Sequence, residues 1–316
     1  MSEIRFLDGA QTRAALDPRR VMEAVATALI AVGRDQVSAP SRIAAHAPGG
    51  LLGAMPGHVP GFGLAAKLVS VFGDPERPGR SSHLGIVALF DAVDGRPLAL
   101  MDAEPLTEIR TAASATLSAR ALARADGGPV AVVGTGAQAR AQLTLLAALD
   151  PKTPVRVAGR DPERVASAAA LHPAGRAAPG IEDAVRGAGT VFCCTGAVRP
   201  VVDRDWLAPG AHISSVGGSH GPEIDAATVR DATLFTEWPG AATTRPPSGA
   251  HELQGLPPER RVTPLGAVLA GDRSGRRDDV ELTLFKSTGH AALDVAAAHV
   301  AHAVAVAEGW GTRLAM

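Results

Sequence analysis

PVAVVGTGAQARAQLTLLAALDPKTPVRVAGRDPERV, residues 129–165, decides the fold. Val130 to Val133 form an apolar run with no polar interruption, the pattern of a strand buried on both faces. The chain then turns through Gly134-Thr135-Gly136-Ala137-Gln138-Ala139, a G-x-G-x-x-A sequence, and enters a segment with apolar residues at helical spacing. PVRVAG supplies a second strand, and Asp161-Pro162 opens a second helix. A glycine turn alone says little. Set between a buried strand and a helix, with another strand within about 30 residues, it reads as a dinucleotide cradle. The glycines let the backbone approach a pyrophosphate, and the helix N-terminus offers N–H groups and positive potential. Gly134, Gly136, Ala137 and Gln138 are the candidate cofactor-binding residues.

Which dinucleotide fits is read at the end of the second strand, where an acid would bind a ribose 2′-hydroxyl. Here Arg160 stands where a guanidinium would grip a 2′-phosphate, and Asp161, one step later, suits a helix cap. NADP(H) is expected over NAD(H). An inward-facing Asp161 would reverse the preference.

The same alternation continues outward. TVFCCTG (190–196), GAHISSVG (210–217) and ATLFTEW (232–238) read as further short strands, so the segment is a parallel doubly wound sheet. Before it the grammar differs. DPRRVMEAVATALIAVGR (17–34) is a capped amphipathic helix, and GLAAKLVSVF (63–72) reads as a strand. LGIVALF and PLALMD flank a hairpin turn at Asp94-Gly95, and residues 107–124 form an Ala-rich helix that Gly127-Gly128 breaks. A last helix over about 289–308 does not extend the parallel sheet. The expected organisation is an α/β chain with a Rossmann domain at 127–288 and a mostly antiparallel α+β domain from 1–126 and 289–316.

Composition narrows the class. The 316 residues are 46% hydrophobic and 20% charged with a net charge of −1, which describes an ordered globular chain and not a general nucleic-acid or membrane-surface binder. No N-terminal leader pattern or membrane-length apolar run is present, so a cytoplasmic location is expected. Adjacent Cys193 and Cys194 suit neither a disulfide with each other nor a metal site, and no metal is expected. Only three lysines occur, Lys67, Lys152 and Lys286, and Lys67 lies inside an apolar strand. An ammonium there must reach water, pair with an acid, or face a pocket that needs positive charge.

Six motifs in fixed order carry a resemblance over most of the chain: Ser41-Arg42 before Met55-Pro56, AAKL (65–68), EIRTAA (108–113), GTGAQA (134–139), GAHISSVGG (210–218) and FKSTGHAALD (285–294). The sequence resembles the ornithine cyclodeaminase/μ-crystallin family. That resemblance implies an NAD(P)-binding domain inserted in a substrate and dimerisation domain, and a homodimer. It implies that Arg42, Lys67 and Arg110 hold a substrate carboxylate, which suits a fork-shaped guanidinium beside a point-charge donor. It also implies Thr111, Thr195 and Val216 as cofactor neighbours and Asp294 as a motif residue. His83, Ser219 and His220 are candidates near the pocket for binding or proton relay.

The chain departs from the cyclodeaminase pattern at two acids. An Asp after the VGG motif is replaced by Ser219, and a Glu shortly before Met-Pro is absent from Gly53-Ala54. Ketimine reductases resembling μ-crystallin carry Ser at the first place. Reduction of a preformed cyclic imine is therefore expected: Δ1-pyrroline-2-carboxylate or Δ1-piperideine-2-carboxylate to proline or pipecolate. A cyclodeaminase or amino-acid dehydrogenase, with Glu104 or Glu223 standing in for the missing acids, is the competing enzyme reading. A non-enzymatic protein binding NADPH and a small carboxylate is the third.

Overall fold

The computed structural model describes residues 3–72, 83–218 and 220–315. The chain divides into two compact units: residues 1–110 with 290–316, and residues 111–289. The first contains β1 (Glu3–Leu7), α1 (Gly9–Ala15), α2 (Pro18–Gly33), β2 (Ile43–Ala47), β3 (Gly50–Val59), β4 (Gly63–Phe72), β5 (His83–Phe90) and β6 (Pro97–Asp102). α3 (Ala103–Leu122) follows. With β15 (Thr312–Ala315) from the end of the chain, the seven strands of its sheet run in the order β15-β1-β6-β5-β4-β3-β2, and β1 and β6 are parallel while the other neighbours are antiparallel.

Local chemistry accounts for the helices of this unit. Asp17 caps α2 by accepting from the Arg20 amide, and Pro18 occupies the first turn where its missing N–H costs nothing. α9 (Ala291–Ala307) is buried over most of its length up to Ala301, exposed toward its C-terminal end, and lies along β3 and β4 and against α2. Its alanines permit that close approach: a Cβ on Gly57 of β3 would stand 3.1 Å from the Ala291 Cβ. Met55, Ala65, Lys67, Val87, Leu89 and Met101 are buried in this unit, whereas Leu52, Leu64, Leu84 and Ile86 are exposed. The two sets alternate along the strands, so one face of the sheet is core and the other is apolar and open.

The second unit continues with β7 (Val130–Val133), α4 (Ala137–Leu149), β8 (Val155–Ala158), α5 (Pro162–Ala169), β9 (Gly175–Ala177), α6 (Ile181–Val185) and β10 (Thr190–Cys193). Then come β11 (His212–Ser215), α7 (Ala226–Asp231), β12 (Thr233–Thr236), β13 (Val262–Pro264), α8 (Leu265–Leu269) and β14 (Thr283–Lys286). Its eight strands are all parallel, in the order β13-β12-β14-β11-β10-β7-β8-β9. Strand order reverses between β7 and β10, which is where a doubly wound sheet opens its binding crevice.

The two compact units divide inside α3, between residues 110 and 111. The second half of α3 bonds to the parallel-sheet unit: Ser118 Oγ lies 3.1 Å from His212 Nε2, and Gln142 Nε2 donates to Thr116 Oγ1 at 2.8 Å. After the parallel sheet the chain returns to the first unit through α9 and β15 (Thr312–Ala315), which pairs antiparallel with β1. β1, α1 and β15 go beyond the sequence reading.

Candidate functional site

In the first unit, Lys67 points to the α9 side of β4 and is only 5% exposed. Its Nζ lies 3.0 Å from Asp294 Oδ2 and 3.2 Å from Oδ1, with Thr107 Oγ1 at 3.5 Å. Arg110, in α3, donates from Nε to the same Asp294 Oδ1 at 3.0 Å. The half-buried Arg42 precedes β2 and is near enough to act electrostatically on Lys67. Three cations predicted from sequence are thus gathered, and Asp294 is the acid between two of them.

The electrostatics follow from burial. Removal from water pulls the Lys67 pKa from 10.5 to about 8, Arg110 and Arg42 act in the same direction, and Asp294 opposes them. Burial raises the Asp294 carboxyl, but Lys67 and Arg110 outweigh it and hold the group below its ordinary range. His290 is a site residue the sequence reading passed over. It caps α9, its Nδ1 accepting from the Ala292 amide at 3.3 Å, and lies one helical turn before Asp294. Burial, with help from Arg110 and Arg42, lowers its pKa to about 4 against the pull of Asp294, so the ring is neutral at physiological pH. With Nδ1 accepting, Nε2 carries the proton. The signal available in sequence was a histidine four residues before a motif aspartate.

The other candidates of this neighbourhood separate from the cluster. Residue 83 pairs with Val71, four positions along β4 from Lys67, and the His83 side chain lies outside the described residues. Ser219 also lies outside them, and His220 is exposed.

In the second unit the turn between β7 and α4 has the form a pyrophosphate requires. Gly134 has φ +121°, and a Cβ there would fall 2.4 Å from the Cys194 carbonyl oxygen. Gly136 is the N-cap of α4 without any side-chain cap, and a Cβ there would meet no atom within 4 Å. The N-terminus of α4 is therefore uncapped and has open space beside Gly136, next to exposed Ala137 and half-buried Gln138. These residues fit a dinucleotide. Asp161 caps α5, accepting from the amides of Glu163 at 3.0 Å and Arg164 at 3.2 Å, and leaves exposed Arg160 at the end of β8. Thr111 is buried in α3.

Past the reversal point, the C-terminal ends of β10, β11 and β14 meet in a buried polar network. Glu223 is fully buried, and its Oε1 accepts from both the amide and the hydroxyl of Thr195 at 2.7 Å. Its Oε2 accepts from Ser215 Oγ at 2.7 Å and the Gly217 amide at 3.0 Å. Lys286 Nζ donates to Ser215 Oγ at 2.8 Å, the Gly217 carbonyl at 2.8 Å and Glu252 Oε1 at 3.0 Å. Thr195 and the segment after half-buried Val216 are therefore held from beneath. Cys193 and Cys194 are buried, and burial raises both thiols.

A separate cavity of about 650 Å³ in this unit, lined by Arg260, Arg261 and Arg273 among others, includes none of these residues. Among the described residues no cluster of metal-ligating side chains is found, and no helix is long and apolar enough to cross a membrane.

The model of the ornithine cyclodeaminase/mu-crystallin family matches residues 8–309. The chain is 32% identical over 267 residues to an ornithine cyclodeaminase of Agrobacterium fabrum, covering 81% of this chain and 73% of that one. It is 30% identical over 257 residues to the ketimine reductase mu-crystallin of Mus musculus, covering 80% of each. The structure superposes on the Δ1-pyrroline-2-carboxylate reductase of Thermococcus litoralis, solved with NADH and L-proline, with TM-score 0.86 and 26% identity over 98% of this chain and 99% of that one.

Proposed function

The chain belongs to the ornithine cyclodeaminase/mu-crystallin family, and we propose that within it the protein is a nicotinamide-dependent reductase of a cyclic imino acid. The substrate is a five- or six-membered ring with a C=N bond beside a carboxylate, Δ1-pyrroline-2-carboxylate or Δ1-piperideine-2-carboxylate, and the product is proline or pipecolate. The observation that carries this reading is the commitment of two buried acids, Asp294 and Glu223. Asp294 is bonded to both Lys67 and Arg110, and Glu223 accepts four hydrogen bonds, so neither stands ready to take a proton from an amine. With Gly53-Ala54 and Ser219 in place of the cyclodeaminase acids, the residues suit an imine that needs no deprotonation. Glu104, in the first turn of α3, stays available to the competing deaminating reading.

Arg42, Lys67 and Arg110 bind the substrate carboxylate as charge-assisted donors. The imine reacts as its protonated iminium, so the electron pair of the C=N bond ends on nitrogen and no further base is required. Lys67, with a pKa of about 8, is cationic at neutral pH yet within reach of giving up its proton. Neutral His290 adds a donor beside the clamp without adding charge. When bound, the dinucleotide supplies the hydride, and Gly134, Gly136, Ala137, Gln138, Thr111, Thr195 and Val216 are the residues that would hold it. Arg160, with Asp161 occupied as a cap, favours NADP(H) over NAD(H).

The protein acts as a homodimer closed by the open apolar face of the first sheet. The test of function is NADPH and NADH oxidation with a panel of cyclic imino acids, run beside ornithine and alanine with the oxidised cofactors. Turnover of the imino acids is expected. Ammonia release from ornithine or alanine, with no imine reduction, would overturn the reading.

A further inference from the structure

We propose that the buried Glu223–Lys286–Glu252 network gives the nicotinamide half of the cradle a net negative charge that favours the oxidised, cationic dinucleotide over the reduced, neutral-ringed one. The inference rests on the dinucleotide reading of the second unit and deepens it. It does not depend on which imine is reduced.

Placement comes first. In a sheet whose order reverses between β7 and β10, the adenosine half of a dinucleotide rests over β7 and β8, and the nicotinamide half over the C-terminal ends of the next strands. The network sits at those ends. It ties Thr195 after β10 to Ser215 and Gly217 at the end of β11, and Lys286 closes β14.

Charge comes second. Two carboxylates and one ammonium leave a formal excess of one negative charge, with Lys286 and Glu252 side chains each 2% exposed. Glu237, fully buried just past the end of β12, contributes a further carboxylate to the same rim, where Oε1 accepts from Ser114 Oγ at 3.0 Å and Ser287 Oγ at 3.1 Å.

The pattern of satisfaction then separates a structural knot from a source of field. Both oxygens of Glu223 are saturated by protein donors. Glu252 Oε2 and Glu237 Oε2 are buried and accept no hydrogen bond among the described residues. A buried acceptor left without a donor is costly, and a fold using these acids only as struts would satisfy them. In a site shielded from water such charges act over several ångströms. The oxidised ring carries a formal positive charge that the reduced ring lacks, so the rim stabilises the product form and assists hydride donation by the bound reduced cofactor.

The experiment measures dissociation constants of NADP+ and NADPH by titration, without substrate or turnover. Both ligands present the same phosphates, so their ratio isolates the ring. Glu252→Gln should raise Kd(NADP+)/Kd(NADPH) about tenfold, and Glu252→Asp, which keeps the charge, should leave the ratio near wild type. Glu237→Gln removes a rim charge without touching Lys286, must shift the ratio in the same direction, and carries the test if Glu252→Gln does not fold. An unchanged ratio in a folded variant, even with a lower melting temperature, overturns the proposal and leaves the network structural. If the wild-type protein binds only NAD+ and NADH, the ratio is read on that pair; if it binds none of the four dinucleotides, the cradle reading falls and the proposal falls with it.

Discussion

Lys67 concentrates the problem of this protein at the scale of one side chain. It lies in an apolar strand, and both its pairing with Asp294 and its lowered pKa follow from the same burial. Lys67→Met should lower catalytic efficiency for the imino acid by about 30- to several-thousand-fold, the cost of losing a charged bond to a desolvated anion. Dinucleotide affinity should not change. Asp294 keeps Arg110, so the variant should fold with reduced stability. Full activity in Lys67→Met would remove the clamp. The ionisation gives a second prediction, with activity and stability moving in opposite directions. Below pH 8 the ammonium is present and binds carboxylate, so kcat/KM should fall as pH rises through about 8, and this limb should vanish in Lys67→Met. The folded-state pKa lies below the unfolded value of 10.5, so the unfolded chain holds the proton more tightly across that interval. The contribution of Lys67 to stability is therefore complete above 10.5 and is lost as pH falls through 8. At the adenosine end, Arg160→Ala should raise the Michaelis constant for NADPH far more than for NADH; equal effects would remove the 2′-phosphate reading. The family resemblance implied that Arg42, Lys67 and Arg110 belong together. What the linear sequence withheld was the acid that pairs with Lys67 and Arg110, because Asp294 lies 227 positions from Lys67 and only the packing of α9 unites them.

The turn from β7 into α4 shows the same economy at the scale of an element, and its two glycines should fail differently. Gly134→Ala puts a methyl group at positive φ and against the Cys194 carbonyl, so it should destabilise the second unit by at least about 1–3 kcal/mol, read as a lowered melting temperature. Gly136→Ala has ordinary φ of −78° and open space, so it should fold normally while its methyl weakens dinucleotide binding. Equal melting temperatures for the two variants, or unaltered binding in Gly136→Ala, would contradict this assignment of roles. This element was readable because every cue is local: buried strand, glycines and helix follow within a few residues. β15 was not, since its partner β1 stands at the opposite end of the chain. The rim network was hidden for a related reason. Lys286 meets Ser215 across 71 positions and Glu252 across 34, and nothing near any of them signals a charge pair.

At the scale of the whole molecule, the first sheet leaves Ile43 69% exposed, Leu84 53% and Leu52 49% on one chain. An apolar face of that extent needs a cover, and a second copy of the same sheet is the cover proposed above. Light scattering over a tenfold range of concentration should give a dimer throughout, and Leu52→Glu combined with Leu84→Glu should give monomers. A wild-type monomer at every concentration would count against the face as an interface. The sequence reading took a dimer from the family resemblance, and sequence alone did not say which side of the sheet α9 would take.

The return of the chain through α9 and β15 also sets a timetable. Residues 111–289 emerge from the ribosome with all they need for their own sheet, whereas the strands made first must wait for residues 290–316. At ordinary ribosomal synthesis rates that wait lasts roughly ten seconds to half a minute. Throughout it, Lys67 and Arg110 lack the aspartate that balances them, and the inner face of their sheet lacks α9. A nascent chain stopped after Gly289 should show a protease-resistant core confined to the inserted unit. The amino-terminal strands, although synthesised earliest, should be the last to become resistant and the part most dependent on chaperones.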